Sequence, residues 1–226
     1  MERGTQSPSR ENRRIYHEEE CLLTFDEPRR RQLVRWLKPL SITRALDVGC
    51  LSGDFLELLP ATVERWGVDF LRHPQLEEGI HFIEADLSRG LPFPNGFFDL
   101  VFAGEIIEHL LDTDFFLSEC HRVLQDRGIL ILTTPNLSCW LSGWRWLTYG
   151  QPWCVDYRAG QSGHVRYFSP KALQEMLTAH GFGEIQFASA GGLEFLQRLW
   201  IFYRLAHALF PLRGKSLMAM GKKVTE

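Results

Sequence analysis

Residues 44–53 read Arg44-Ala45-Leu46-Asp47-Val48-Gly49-Cys50-Leu51-Ser52-Gly53, a short apolar run that ends in two glycines four positions apart. Such a run has the character of a buried parallel strand entering a tight turn. Glycines at that junction let the chain reverse and let a ligand come close to the main chain at the carboxyl end of the strand. Asp69 lies 20 residues beyond Gly49, at the end of a second strand expected over 62–70. A carboxylate there can accept hydrogen bonds from both hydroxyls of a ribose, so the spacing points to an adenosine-type ligand.

The chain around this stretch alternates strand and helix. Upstream, Asp26 to Leu37 sets Leu33, Val34, Trp36 and Leu37 among arginines and predicts an amphipathic helix ending before Pro39. Downstream, 54–59 predicts a short helix stopped by Pro60, 73–79 a brief helix between Pro74 and Gly79, and 80–86 a third strand. Strands follow at 97–103 and 128–134, with helical spacing at 104–111 and 113–124 between them. After an irregular stretch the register resumes with Ser169-Pro170, a helix through His180, and strands at 183–189 and 216–224. The expectation is an α/β fold: a Rossmann-like, seven-stranded, mostly parallel sheet flanked by helices, with an aromatic-rich lid insertion at 136–168. Residues 1–25 read as a flexible tail and 26–226 as one domain.

Composition narrows the function. The formal net charge of −3 carries no electrostatic footprint for nucleic acid, and no nucleic-acid partner is expected. Arg29-Arg30-Arg31 reads as a solvated helix face. Five cysteines, with no Cys-x-x-Cys pair and no histidines at zinc spacing, argue against a disulfide framework and against a metal site. The first residues lack the apolar stretch of a secretory signal, so a cytoplasmic location is expected.

The glycine loop also distinguishes between adenosine ligands. A dinucleotide site wants Gly-x-Gly-x-x-Gly so that a pyrophosphate can rest on a helix N-terminus. Here those positions are Gly49, Leu51 and Asp54, and an aspartate would repel phosphate. S-adenosylmethionine has no phosphate, and its ammonium suits an acidic loop, so it is favoured over NAD.

With these motifs in order, ALDVGCLSGDF, WGVDF, EADL, FDLVFAGEIIEHL, RVLQDRGILILTTPN and HVRYFSP, the chain resembles the class I S-adenosylmethionine-dependent methyltransferases, particularly those of quinone biosynthesis and the cell envelope. The resemblance implies that Asp47, Gly49, Cys50, Leu51 and Gly53 surround the methionine and ribose. It implies that Asp69, with Phe70 beside it, holds the ribose, that Asp86 and Leu87 face the adenine, and that Gly104 and Glu105 lie by the methionine end. Asp86 has a second reading as the cap of a turn, and Glu105 as the opening of a helix. The family usually has glycine where this chain has Leu51, which leaves open a protein that binds S-adenosylmethionine without catalysis.

Methyl transfer from a sulfonium is an in-line displacement in which positioning supplies much of the catalysis, and a base is needed mainly for a hydroxyl acceptor. His109 and His164 are the candidates for that base, with Arg166, Tyr167, Trp144 and Tyr149 as candidate substrate contacts. His109 reads equally as a helix histidine satisfied by a neighbour. The acceptor is expected to be a small molecule or a lipid- or glycan-linked one. Trp140, Trp144, Trp146 and Trp153 crowd the lid, and 193–212 predicts an amphipathic apolar helix interrupted by Glu194, Gln197, Arg198, Arg204 and His207. Those interruptions argue against a membrane span. They leave packing on the domain, a homodimer contact or a peripheral membrane contact.

Overall fold

The computed structural model describes residues 27–155, 163–191 and 209–225. The expected tail at 1–25 and all but the end of the apolar segment 193–212 lie outside these residues. In chain order the elements are α1 (Glu27–Leu37), β1 (Arg44–Val48), β2 (Glu64–Asp69), β3 (His81–Glu84), β4 (Phe98–Gly104), α2 (Thr113–Val123), β5 (Leu124–Pro135), α3 (Trp140–Tyr149), α4 (Pro170–Ala179), β6 (Phe182–Ala190) and β7 (Ser216–Lys223). The seven strands form one sheet in the order β3-β2-β1-β4-β5-β7-β6. The first five are mutually parallel where they pair, and β7 runs antiparallel to both of its neighbours.

Both faces of the sheet are covered, which explains the near-continuous apolar strands. Along β1, β4, β5 and β7, Leu46, Val48, Val101, Ala103, Leu130, Leu132, Leu217 and Ala219 turn to one side. There they meet Phe116, Leu117 and Cys120 of α2 and Leu173 and Leu177 of α4. The alternate residues Ala45, Leu100, Phe102, Ile131 and Met218 turn to the other side, against Leu33, Trp36 and Leu37 of α1 and against Phe55, Leu56 and Leu59. The strand order reverses between β1 and β4, and at such a switch point the loops leaving the carboxyl ends of the two strands part to leave a crevice.

The connections near that crevice are leaner than the sequence suggests. The helix expected at 54–59 is one 3₁₀ turn, Leu56–Leu58; the one at 104–111 is one 3₁₀ turn, Ile107–His109; 73–79 forms turns only. Six residues between the left-handed Gly53 and Pro60 do not offset the cost of nucleating an α-helix, 104–111 is interrupted at once by the left-handed Glu105, and 73–79 has a single apolar side chain, Leu76, to bury.

The 136–168 segment differs in the opposite sense, because it is not irregular throughout. It contains α3, begun by Cys139, whose Sγ accepts from the Ser142 N–H, and ended by Gly150 in the left-handed conformation. Its two ends meet: Asn136 bridges to Phe168, and the Leu137 N–H donates to the Phe168 carbonyl at 2.9 Å. Among the described residues no helix is long and apolar enough to cross a membrane.

Phe55 stacks on Phe102 with ring centroids 3.9 Å apart, and both rings are buried. Phe55→Ala should lower the free energy of unfolding by about 3–5 kcal/mol, the usual cost of an emptied phenylalanine site. Denaturant titration of the two proteins checks this, and Phe55→Leu should lose less than half as much.

Candidate active site

The loop after β1 is bent by a run of positive-φ residues, Gly49 (74°), Leu51 (42°) and Gly53 (85°). Two of them also need to lack a side chain. A Cβ on Gly49 would lie 3.0 Å from Ile106 Cδ1, and one on Gly53 would lie 2.9 Å from Leu76 Cδ1. Leu51 takes the left-handed conformation that glycine favours, so the loop keeps its path at a conformational cost. Asp69, at the end of β2, holds that loop: its carboxylate accepts from the Leu51 N–H at 3.1 Å and from the Phe70 N–H at 2.7 Å. Cys50 is buried against Gly67, where a Cβ would come 2.7 Å from its Sγ, and burial pushes its thiol pKa up.

The electrostatics of this corner are unbalanced. Asp47 is almost fully buried, and burial first, then Asp69 and Asp54, hold its pKa well above the ordinary range. Burial also raises Asp69, against the lowering effect of its two backbone donors. Among the described residues neither carboxylate belongs to an ion pair.

Across the switch point, Gly104 ends β4 and Glu105 follows with φ of 52°. The Glu105 carboxylate accepts from Arg29 Nη1 of α1 and from Ser216 Oγ at the start of β7, each at 3.1 Å. Arg29 is therefore buried rather than part of a solvated face, while Arg30 and Arg31 are exposed as expected. The sequence carried the signal, because Arg29, Leu33 and Trp36 stand at i, i+4 and i+7 on the face that α1 buries.

Asp86 caps the 3₁₀ turn Leu87–Arg89, accepting from the Ser88 N–H at 3.0 Å and from Ser88 Oγ at 2.7 Å. Leu87 is half-buried against the core.

His109 and His164, 55 residues apart in sequence, come together with ring centroids 4.9 Å apart. The segment carrying His164 is pinned onto residues 108–111 by four contacts. The Val165 and Arg166 N–H groups donate to the Glu108 carbonyl, Arg166 Nη2 donates to the Leu111 carbonyl, and His109 Nδ1 meets the Gly163 carbonyl. Within the segment, Tyr167 Oη donates to the His164 carbonyl. Burial, and then His164, lower the His109 pKa to about 4, so its imidazole is neutral at pH 7. Trp144 and Tyr149, by contrast, stand exposed on α3.

Glu108 was not expected here. It is 1% exposed; one carboxylate oxygen accepts from Thr134 Oγ1 at 3.0 Å, and the other, Oε1, has no partner among the described residues, as is true of His164 Nδ1. Burial, reinforced by Glu105, raises its pKa well above the ordinary value. Donor atoms of Glu108, His109 and His164 all lie within 4.8 Å of one another, a set able to share a proton or to take a divalent cation. Spacing in the sequence could not reveal that set, because one of its members arrives from across the 136–168 segment.

Residues 16–186 match the family described as a methyltransferase domain. A Mycolicibacterium smegmatis protein described as a probable S-adenosylmethionine-dependent methyltransferase is 32% identical over 96 residues, which cover 40% of this chain and 37% of that protein. The mitochondrial ubiquinone biosynthesis O-methyltransferase of Bos taurus is 27% identical over 161 residues, covering 64% of this chain and 42% of the relative. The chain thus spans about two fifths of the length of these curated relatives. A crystal structure of a S-adenosylmethionine-dependent methyltransferase from Archaeoglobus fulgidus shares the fold, with a TM-score of 0.61 at 19% identity over 86% of this chain and 94% of that one.

Two outcomes test this geometry. Leu51→Gly should leave stability unchanged or raise it by up to about 1 kcal/mol, since release of left-handed strain outweighs or matches the added freedom of the unfolded chain. Leu51→Val should lower it, and thermal melts of the three proteins rank them. The second outcome concerns pH. A raised carboxyl pKa means that the folded chain binds the proton more tightly, so Glu108 contributes stability below about pH 4.5 that is lost as pH rises through its folded pKa. Glu108→Gln should therefore match the parent in acid and become more stable than it towards neutral pH, read by denaturant titration across that range.

Proposed function

Because the chain belongs to the methyltransferase-domain family, we propose that it transfers the sulfonium methyl group of S-adenosylmethionine to a small-molecule, or lipid- or glycan-linked, acceptor. The observation that carries this reading is the buried acidic corner at the ends of β1 and β2, where Asp47 and Asp69 are desolvated and have no ion-pair partner among the described residues. A phosphate-bearing ligand would worsen that imbalance. A ligand carrying an ammonium and a sulfonium relieves it.

In this reading Asp47, Gly49, Cys50, Leu51 and Gly53 enclose the methionine and ribose. Each oxygen of Asp69 keeps a lone pair for a ribose hydroxyl after its backbone bond. Phe70 lies beside the ribose, Asp86 and Leu87 face the adenine, and Gly104 and Glu105 face the methionine end. Leu51 keeps the glycine-like loop path, so its presence does not favour a non-catalytic protein.

Transfer breaks the bond between sulfur and methyl carbon as the acceptor atom bonds to that carbon, and S-adenosylhomocysteine leaves. For a hydroxyl acceptor a proton must also go. The neutral His109 and the adjoining His164 are the groups placed to take it, with Arg166 and Tyr167 holding their strand of chain in position. The likeness to a ubiquinone biosynthesis O-methyltransferase favours oxygen as the acceptor atom.

Calorimetry should show binding of S-adenosylmethionine and of its demethylated product but not of NAD. Asp69→Ala should weaken that binding by about 1–3 kcal/mol, through loss of charge-assisted bonds to the ribose and a looser Leu51 loop. Unchanged affinity in a folded variant would remove Asp69 from the site. Labelled S-adenosylmethionine, incubated with a cell extract separated into lipid, glycan, protein and small-molecule pools, identifies the acceptor class. No label in any pool would leave a binding protein without transferase activity.

A further inference from the structure

We propose that α3, together with Leu209 and Phe210, docks this protein on the interface of a lipid bilayer that carries anionic headgroups.

The first ground is an exposed apolar surface with little supporting contact. Of the ten residues of α3 only Ser142 is buried. Trp144, Trp146, Leu147 and Tyr149 are 59–84% exposed, and Trp140 at the base of the helix meets Phe210 edge-on at 5.0 Å. Leu209 and Phe210, themselves 62% and 46% exposed, extend the same surface. A folded chain that met only water would leave so much apolar surface exposed around one helix at a penalty. Tryptophan and tyrosine, with an apolar body and one polar tip, are the side chains best suited to the headgroup level of a bilayer.

Charge selects the occupant. The whole chain has more acidic than basic residues, 28 against 25, yet neither 137–155 nor 209–223 contains an aspartate or glutamate. The cations that border the patch are Arg145, over the Tyr149 ring; Arg213, whose Nη1 donates to the Ser138 carbonyl at 2.8 Å; and Lys215, over Trp153. A two-fold contact with a second copy would set this basic rim against itself, with no acid in either stretch to answer it. An anionic lipid surface answers it directly. At ten residues α3 is about 15 Å long, half of what the hydrocarbon layer requires, so it lies in the interface and does not span.

The patch adjoins the proposed active site. Pro135 pairs with Ser216 at the carboxyl end of β5, α3 leaves just beyond, and Ser216 Oγ donates to Glu105. Docking therefore turns the mouth of the crevice towards the bilayer, and an acceptor dissolved in the membrane or linked to a lipid would reach it from there. This last step rests on the methyl-transfer reading. The docking does not.

The test is co-sedimentation of the full chain with vesicles of phosphatidylcholine and phosphatidylglycerol in equal parts, and with phosphatidylcholine alone. The protein should pellet with the mixed vesicles and be released by high salt. Trp146→Ser combined with Leu147→Ser should weaken binding by roughly tenfold or more, since both exposed apolar groups leave the interface, with affinity for S-adenosylmethionine unchanged. Should that variant misfold, the parent decides alone: mixed vesicles with brominated acyl chains should quench part of its tryptophan emission. Protein left in the supernatant, or emission left unquenched, overturns the proposal. So does a folded variant that binds as well as the parent, or a dimer that the substitutions abolish while vesicles are ignored. Vesicle binding without methyl transfer to any acceptor would count against the enzyme reading and leave the docking intact.

Discussion

Two backbone bonds to one carboxylate set the geometry on which this molecule depends. Asp69 accepts the N–H groups of Leu51 and Phe70, and so fastens the loop after β1 to the end of β2. The same loop is tied at its origin by the Gly49 N–H, which donates to the Val68 carbonyl at 2.8 Å. With both anchors on β2, the loop can only bulge away from the sheet, and Gly49, Leu51 and Gly53 supply the left-handed turns that this path demands. A carboxylate is needed for the purpose because one side chain must serve two donors, and its burial raises the cost of leaving either donor out.

That arrangement concentrates negative charge on one side of the switch point and balances it on the other. Asp47 and Asp69 are buried without ion-pair partners among the described residues, whereas Glu105, across the crevice, is held by Arg29 and Ser216. The two halves have different uses. In the proposed reading, the unbalanced acidic corner gives a cationic ligand its electrostatic reason to bind, while a paired Glu105 keeps its orientation before the ligand arrives. The chain invests the first residues of α1 in this, because Arg29 reaches Glu105 only if Leu33 and Trp36 seat the helix against the sheet.

The sheet and the β1 loop were legible in the sequence because each rests on a local pattern: apolar runs of strand length, glycines at the turn, and Asp69 at a fixed distance. All seven expected strands are present, as are the helices at 27–37, 113–123 and 170–179. What was not legible depends on contacts between distant segments or on competition between nearly equal local states. Arg29 reads as one of three solvated arginines in the run Arg29-Arg30-Arg31, but its place on the buried face of α1 sets it apart. Of the short helices expected, 54–59 has too little length to nucleate, and 73–79 has too little length and a single apolar anchor, Leu76. Glu108 follows Ile106 and Ile107 in a stretch with helical spacing, which would make it the polar side of an ordinary helix, whereas the 3₁₀ turn is too short to have sides.

The histidine pair shows why the 136–168 segment had to be seen whole. His109 belongs to a 3₁₀ turn directly after β4, and His164 returns only after α3 and the stretch beyond it. Their meeting is enforced by main-chain bonds, Val165 and Arg166 to the Glu108 carbonyl and Asn136 to Phe168, rather than by any attraction between the rings. A buried carboxylate and a histidine, each with one atom that has no partner among the described residues, are expensive to hold side by side. Backbone hydrogen bonds keep them there, at the same end of the sheet as Glu105. Packing alone would be better served by apolar side chains at both positions, so the cost is accounted for if a proton, a cation or an acceptor hydroxyl occupies the space between them during turnover.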